Sequence, residues 1–226
     1  MPLRNEAANL ALLHMELLEN IPVNSQIVYV NDASEDESLE VLRLLDADEV
    51  KVKILHFKRR IGLGPSILEG IRASEGGTLV IMDSDFTHDP REIPMLLRGL
   101  SSARLSIGSR YVTGGSMSPR KLYVASKIFS MFLRFLLRIK THDIFGGFLA
   151  FRKSDFELFL NSGNFKGFGE YSARLCLFAE HNNFAVEEFP SNFRPRLNGA
   201  RKSKRFTMAI NYTKALIQYR IRLLLK

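Results

Sequence analysis

Thr78-Leu79-Val80-Ile81-Met82-Asp83-Ser84-Asp85-Phe86-Thr87-His88-Asp89-Pro90 is the stretch that decides the fold. Its first five residues are a short, β-branched, apolar run, the mark of a strand buried on both faces. The run ends abruptly in two carboxylates one residue apart. A proline then favours the first turn of a helix. Strand, polar turn and helix in that order form half of a βαβ unit.

The same alternation extends in both directions. Upstream, residues 6–19 predict an amphipathic helix, Ile27–Val30 a strand, 36–45 a helix, Lys51–Phe57 a strand, and Pro65–Ser74 a helix after the Gly62–Gly64 loop. Downstream come a helix over Pro90–Leu100 and a strand over Leu105–Gly108. Strands alternating with helices at this spacing predict a doubly wound, mostly parallel α/β sheet flanked by helices. Ligands of such sheets bind beyond the carboxyl ends of the strands. That rule brings Asp32, Asp83, Asp85 and Arg110 to one rim.

The second half predicts a long helix over 120–140, an apolar segment Phe145–Phe151, a helix over 165–181, a strand over Ala185–Phe189, a basic loop Arg194–Lys204 and a helical tail. No Pro/Gly/Ser-rich linker divides the chain. One domain is expected over residues 1–205, followed by a basic amphipathic helix over 206–226.

The 226 residues are 46% hydrophobic and 25% charged, which excludes a disordered or collagen-like chain. Cys176 is the only cysteine, so an intramolecular disulfide and a cysteine-rich zinc site are excluded. A net charge of +8 points to an anionic partner: nucleic acid, a phosphate-bearing small molecule or a membrane surface. No nucleic-acid motif accompanies it, and the five histidines lack metal-ligand spacing. Residues 1–20 carry acidic side chains and do not read as a signal peptide; no charge-free apolar stretch is long enough for a transmembrane helix.

Asp83-Ser84-Asp85 offers two hard oxygen ligands on a short turn, which suits Mg²⁺ or Mn²⁺ holding a diphosphate. Two other readings compete. Aspartates at a strand end can simply cap the next helix. Asp83-x-Asp85-x-Thr87 also resembles the nucleophile motif of haloacid-dehalogenase-like phosphatases, in which Asp83 would attack phosphorus. The later acidic pair that this second family needs is absent, since Asp143 and Asp155 stand alone.

Taken in order, the motifs resemble family 2 glycosyltransferases of the GT-A fold, closest to the dolichyl-phosphate mannose synthase and bacterial polyprenyl-phosphate glycosyltransferase branch. The residues that carry this are Pro2-Leu3-Arg4-Asn5-Glu6, Val30-Asn31-Asp32-Ala33-Ser34-Glu35-Asp36, Gly62-Leu63-Gly64 with Gly70, and Met82–Phe86 with His88 and Pro90. Gly108-Ser109-Arg110-Tyr111, Asp143 with Gly147-Phe148, Glu188-Phe189-Pro190, Arg196, Gly199 and Ser203-Lys204 continue the series. The resemblance implies an inverting, metal-dependent transferase. It would move a hexose from a GDP-mannose or UDP-glucose type donor to a polyprenyl or dolichyl phosphate, as a peripheral protein on the cytoplasmic side of a membrane. Pro2, Asn5, Glu6, Asp32, Gly62, Asp83 and Ser84 would bind the nucleotide, and Asp83 and Asp85 the Mg²⁺ or Mn²⁺. Arg110, Ser126, Arg196, Ser203 and Lys204 would face the acceptor phosphate, with Asp83, Asp85 and Arg110 catalytic.

Four departures accompany the resemblance. The apolar first strand expected before Pro2 is missing, which keeps a non-catalytic binding subunit open as an alternative. Thr87 stands where a glutamine is usual, and Arg120 or Lys121 must serve for the arginine expected just before Ser126. Two extra residues lie between Gly199 and Ser203. Finally, Lys127, Arg134 and Arg138 among Ile128, Phe129, Phe132, Phe135 and Leu136 predict an interfacial helix, for a membrane surface or a small membrane subunit.

Overall fold

The computed structural model describes every residue except 46–49, 162, 166, 168, 197–204 and 226. The first half runs β1 (Pro2–Leu3), α1 (Ala7–Asn20), β2 (Gln26–Asp32), α2 (Ser38–Leu44), β3 (Lys51–Phe57), α3 (Leu63–Ala73), β4 (Thr78–Ile81), α4 (Ile93–Gly99) and β5 (Leu105–Ser109). The second half runs β6 (Ser116–Met117), α5 (Arg120–Leu137), β7 (Leu149–Arg152), α6 (Phe156–Asn161), α7 (Tyr171–His181), β8 (Val186–Pro190), β9 (Asn192–Phe193) and α8 (Arg205–Leu224).

One parallel sheet has the order β1-β2-β3, a second the order β4-β7-β5-β8, and β6 pairs with β9. β7 is the antiparallel member, with Val80 and Ser106 both opposite Ala150. Alternate residues of each inner strand enter different cores, as period-two side chains must. Leu79, Ile81, Leu149 and Phe151 pack beneath α3, α5, α7 and α8; Met82, Phe148 and Ala150 pack against α1 and α4. Leu216, Tyr219 and Leu223 place α8 in the first of these cores.

Three expectations change. A two-residue first strand is present at Pro2 itself rather than before it: Pro2 and Leu3 pair in parallel with Val30 and Asn31, because their backbones continue the β2 ladder. The helix predicted from 165 starts at Tyr171, since Gly167 holds φ +83°, a left-handed value outside any α-helix. The helix predicted to 140 stops at Leu137, where Arg138 turns left-handed at φ 56° and donates its N–H to the last-turn carbonyls.

Between β2 and β4 lies an apolar slot of about 510 Å³, lined by Ile27, Val28, Leu79 and Ile81. Met1 sits at its end. The terminal ammonium donates to Val28 O at 2.8 Å, and Val30 N donates to Met1 O at 2.9 Å.

Candidate active site

The turns after β1 and β2 lock together before any site is made. Asn5 N donates to Ser34 Oγ at 2.9 Å, and Glu35 N donates to Asn5 Oδ1 at 2.8 Å. Glu6 N donates to Ser38 Oγ and Ala7 N to Asp36 Oδ2. The N–H groups at the start of α1 are therefore satisfied by side chains from the end of the β2–α2 loop and the first residue of α2, and Glu6 need not cap its own helix. Asp32 then reaches forward: Ile61 N donates to Oδ1 at 2.6 Å and Gly62 N to Oδ2 at 3.0 Å. Gly62 holds φ +93°, which only glycine adopts without strain.

β4 delivers the carboxylate pair. Ser84 is pinned by donating its hydroxyl to Pro2 O at 3.1 Å. Phe86 is buried at φ 64°, a strained value for a bulky residue, and it turns the chain tightly below Asp85. His88 is fully buried and stacked on Phe148; its Nδ1 accepts from Asp83 N at 3.0 Å and its Nε2 faces Gly146 O at 3.1 Å. These contacts assign the proton to Nε2 and make His88 a support of the turn. Asp85 Oδ1 accepts from Thr87 N at 3.0 Å and from Thr87 Oγ1 at 2.6 Å. Its other oxygen, Oδ2, lies 2.9 Å from Arg196 Nε. Arg196 Nη2 also donates to Glu6 Oε1 at 2.6 Å. The Asp83 carboxyl sits on the floor of the cleft, ringed by protein yet 40% exposed. Burial raises its pKa; His88 pulls the other way, Asp85 adds to the rise, and Arg196 and the Met1 ammonium oppose it.

These groups open into a cleft of about 610 Å³. Of the residues named from the sequence, Pro2, Glu6, Asp32, Asp83, Ser84, Asp85 and Arg196 line it. Asn5 and Gly62 lie behind its walls as braces. Among the described residues no third histidine, cysteine or carboxylate joins Asp83 and Asp85 as a metal-binding set.

Residues 1–159 match the family described as Glycosyl transferase family 2. The chain belongs to that family. It is 34% identical over 212 residues to a polyprenol monophosphomannose synthase of Mycolicibacterium smegmatis, covering 89% of this chain and 78% of that protein. It is 33% identical over 174 residues to an undecaprenyl-phosphate mannosyltransferase of Micrococcus luteus, covering 74% and 71%. The fold resembles glucosyl-3-phosphoglycerate synthase of Mycobacterium tuberculosis, solved with Mn²⁺ and UDP-glucose: TM-score 0.68, 16% identity, 96% of this chain and 76% of that one. That likeness identifies the GT-A fold. Membership of a glycosyltransferase family also removes the basis for reading Asp83 as a phosphatase nucleophile.

In this family 2 glycosyltransferase, Arg110 does not line the cleft. It is buried in a fork with Asp143: Nε donates to Oδ2 at 2.7 Å and Nη2 to Oδ1 at 2.6 Å. Ser126 Oγ accepts from Tyr111 OH at 2.8 Å, away from the carboxylates. Ser203 and Lys204 lie outside the described residues. The sequence reading missed other residues that line the cleft, among them the cations Arg4 and Arg60 and the distant Glu170, Asn211 and Tyr212. Tyr212 OH accepts from Gly169 N at 2.9 Å, joining α8 to the turn before α7. No local motif announces that contact, because it is made across 43 residues.

Proposed function

We propose that this chain transfers a hexose, mannose first among the choices, from a nucleoside-diphosphate sugar to a polyprenyl phosphate, with inversion, at the cytoplasmic face of a membrane. One observation carries the reading. The Asp83–Asp85 turn opens beside Glu6 and Asp32 into one cleft under an arginine, in a chain one-third identical to a polyprenol monophosphomannose synthase.

The donor set suits Mg²⁺ or Mn²⁺. Two carboxylates from one turn line the cleft, and Asp85 already draws a guanidinium cation. Asp83 and Asp85 would hold the metal, with diphosphate oxygens and water filling the remaining positions. When bound, the metal neutralises charge on the departing nucleoside diphosphate. The chain does the rest by positioning. Asp32 fixes the Ile61–Gly62 turn behind the cleft wall, and Arg196 offers a planar fork to the acceptor phosphate. The acceptor oxygen is already ionised, so the attack needs orientation rather than a general base. Ser203 and Lys204 would extend the phosphate contacts of Arg196. Arg110 and Ser126 support the acceptor side from behind, through Asp143 and Tyr111.

The lipid acceptor calls for a membrane surface. No helix among the described residues is long and apolar enough to cross one. α5 instead exposes Ile128, Met131, Phe132 and Phe135, the last at 88%, with exposed Arg120 and Lys121 at its first turn and Arg138 just past its end, while Lys127 and Arg134 are half-buried. An apolar ridge with basic flanks suits insertion among anionic headgroups. Cosedimentation with phosphatidylglycerol vesicles should fall several-fold in Phe132→Ser with Phe135→Ser; unchanged binding would refute the α5 surface.

The decisive assay follows radiolabelled sugar from GDP-mannose or UDP-glucose, with Mn²⁺ and a polyprenyl phosphate, into an organic phase. Asp85→Asn should lower transfer at least about a hundredfold, the scale of losing one preorganised electrostatic contact. Transfer retained in that variant would refute the metal role, and no product from either donor would refute the reaction.

A further inference from the structure

We infer that Arg196 stands in for the divalent cation in the metal-free protein, and that binding the metal ejects its guanidinium to receive the acceptor phosphate. The inference rests on the proposed metal-dependent transfer.

Asp85 has one carboxylate oxygen committed within its own turn, since Thr87 donates twice to Oδ1. Only Oδ2 remains for a ligand in the cleft, and Arg196 Nε sits 2.9 Å from it. Metal and guanidinium therefore compete for the same oxygen. The other end of the guanidinium is held by Glu6, beside the carboxylate turn. Arg196 thus bridges Glu6 and Asp85 directly, and its charge also reaches Asp83. A divalent ion at Asp83 and Asp85 supplies that charge twice over and repels the arginine at close range.

The arginine is also built to leave. Its Nε is buried yet makes no aligned hydrogen bond, so charge rather than directed bonding holds it at Asp85. Its side chain remains 25% exposed, against 13% for Asp85 and 5% for Glu6. Two residues earlier the backbone is anchored, with Arg194 N donating to Thr87 O and the Arg194 side chain paired with Asp89. The Arg196 side chain can thus swing to the rim while the backbone at Arg194 stays in place. A freed guanidinium there has the fork geometry that phosphate accepts. By linkage, whatever the metal does for phosphate affinity, phosphate does for metal affinity.

Binding of Mn²⁺ alone, read from the electron paramagnetic resonance of the free ion, tests the competition in the full chain. Arg196→Gln should bind Mn²⁺ about tenfold more tightly than wild type, within the usual range of coupled sites. Arg196→Lys, which keeps the charge, should return towards wild-type affinity. Calorimetry with geranyl phosphate tests the release: Mn²⁺ with GDP should raise its affinity at least about fivefold in wild type and leave Arg196→Gln unchanged. Equal Mn²⁺ affinity in wild type and Arg196→Gln, or phosphate binding indifferent to Mn²⁺ with GDP, would overturn the exchange. Asp85→Asn separates the two levels. If it loses Mn²⁺ while Arg196→Gln matches wild type, the exchange alone falls; if it binds Mn²⁺ as wild type does, the carboxylate metal site falls with it.

Discussion

Replacing Asp143 by asparagine should unfold the protein at a markedly lower temperature. Asp143 is fully buried and receives three bonds from Arg110, from the backbone N at 2.9 Å, Nε at 2.7 Å and Nη2 at 2.6 Å. The guanidinium is itself only 8% exposed and lies over Tyr111 at 4.9 Å and Phe193 at 4.7 Å. Burial opposes its charge, and Asp143 more than offsets that, holding the Arg110 pKa above its ordinary value. Asparagine removes the counter-charge, and its amide group points a donor at a donor. Removing one partner of such a buried pair costs about 3–5 kcal/mol. In a chain of this size each kcal/mol lowers Tm by about 2–4 °C, so a fall of roughly 10 °C is expected by calorimetry or circular dichroism. Arg110→Met combined with Asp143→Leu should recover much of the loss, because both charges leave together. A shift under about 2 °C for Asp143→Asn would refute the reasoning, and Arg110 would then be available to the acceptor phosphate after all.

Three further outcomes follow from particular contacts. Burial pushes the Met1 amine from its usual 8.0 down to about 5, with Asp83 partly opposing the shift. The unfolded chain then holds a proton the folded one lacks between those values, so Tm should rise from pH 5 to 8. Acetylation of the Met1 amine, which removes the titrating group, should abolish that slope; the same slope in both proteins would assign it to other groups. Gly64→Ala drives a methyl against Phe165 O at 2.6 Å and Gly167 O at 2.9 Å, and should cost about 1–3 kcal/mol in urea unfolding. Burial raises the pKa of the Cys176 thiol well above its usual value, so it should resist a disulfide reagent in the native protein and react in urea.

The strands that a local pattern specifies are read closely. Lys51–Phe57 is found at its predicted bounds, and the run from Thr78 ends one residue early. β7 escapes because its direction is not a local property: Leu149–Arg152 is apolar like a buried parallel strand, and only the edges of β4 and β5 turn it antiparallel. The site divides the same way. Asp83 and Asp85 stand at a strand end and are legible there. Arg110 stands at one too, but the residue that claims its guanidinium lies 33 positions further on. Glu170, Asn211 and Tyr212 join the cleft only because α7 and α8 pack into the core beside it.

The pairing of β4 carries a consequence for synthesis. Its described ladder is to β7 alone, residues 149–152, whereas β1, β2 and β3 are complete by residue 57. On the ribosome the first sheet can zip as it emerges, while the Asp83–Asp85 turn waits for a strand translated some seventy residues later, then for β8 to close the far edge of β5. The groups proposed for catalysis therefore hang from the last-assembled part of the molecule. A chain arrested near residue 115 would carry both aspartates with Thr87 and His88, but neither β7 nor the Gly146 carbonyl and Phe148 ring that hold His88 in place.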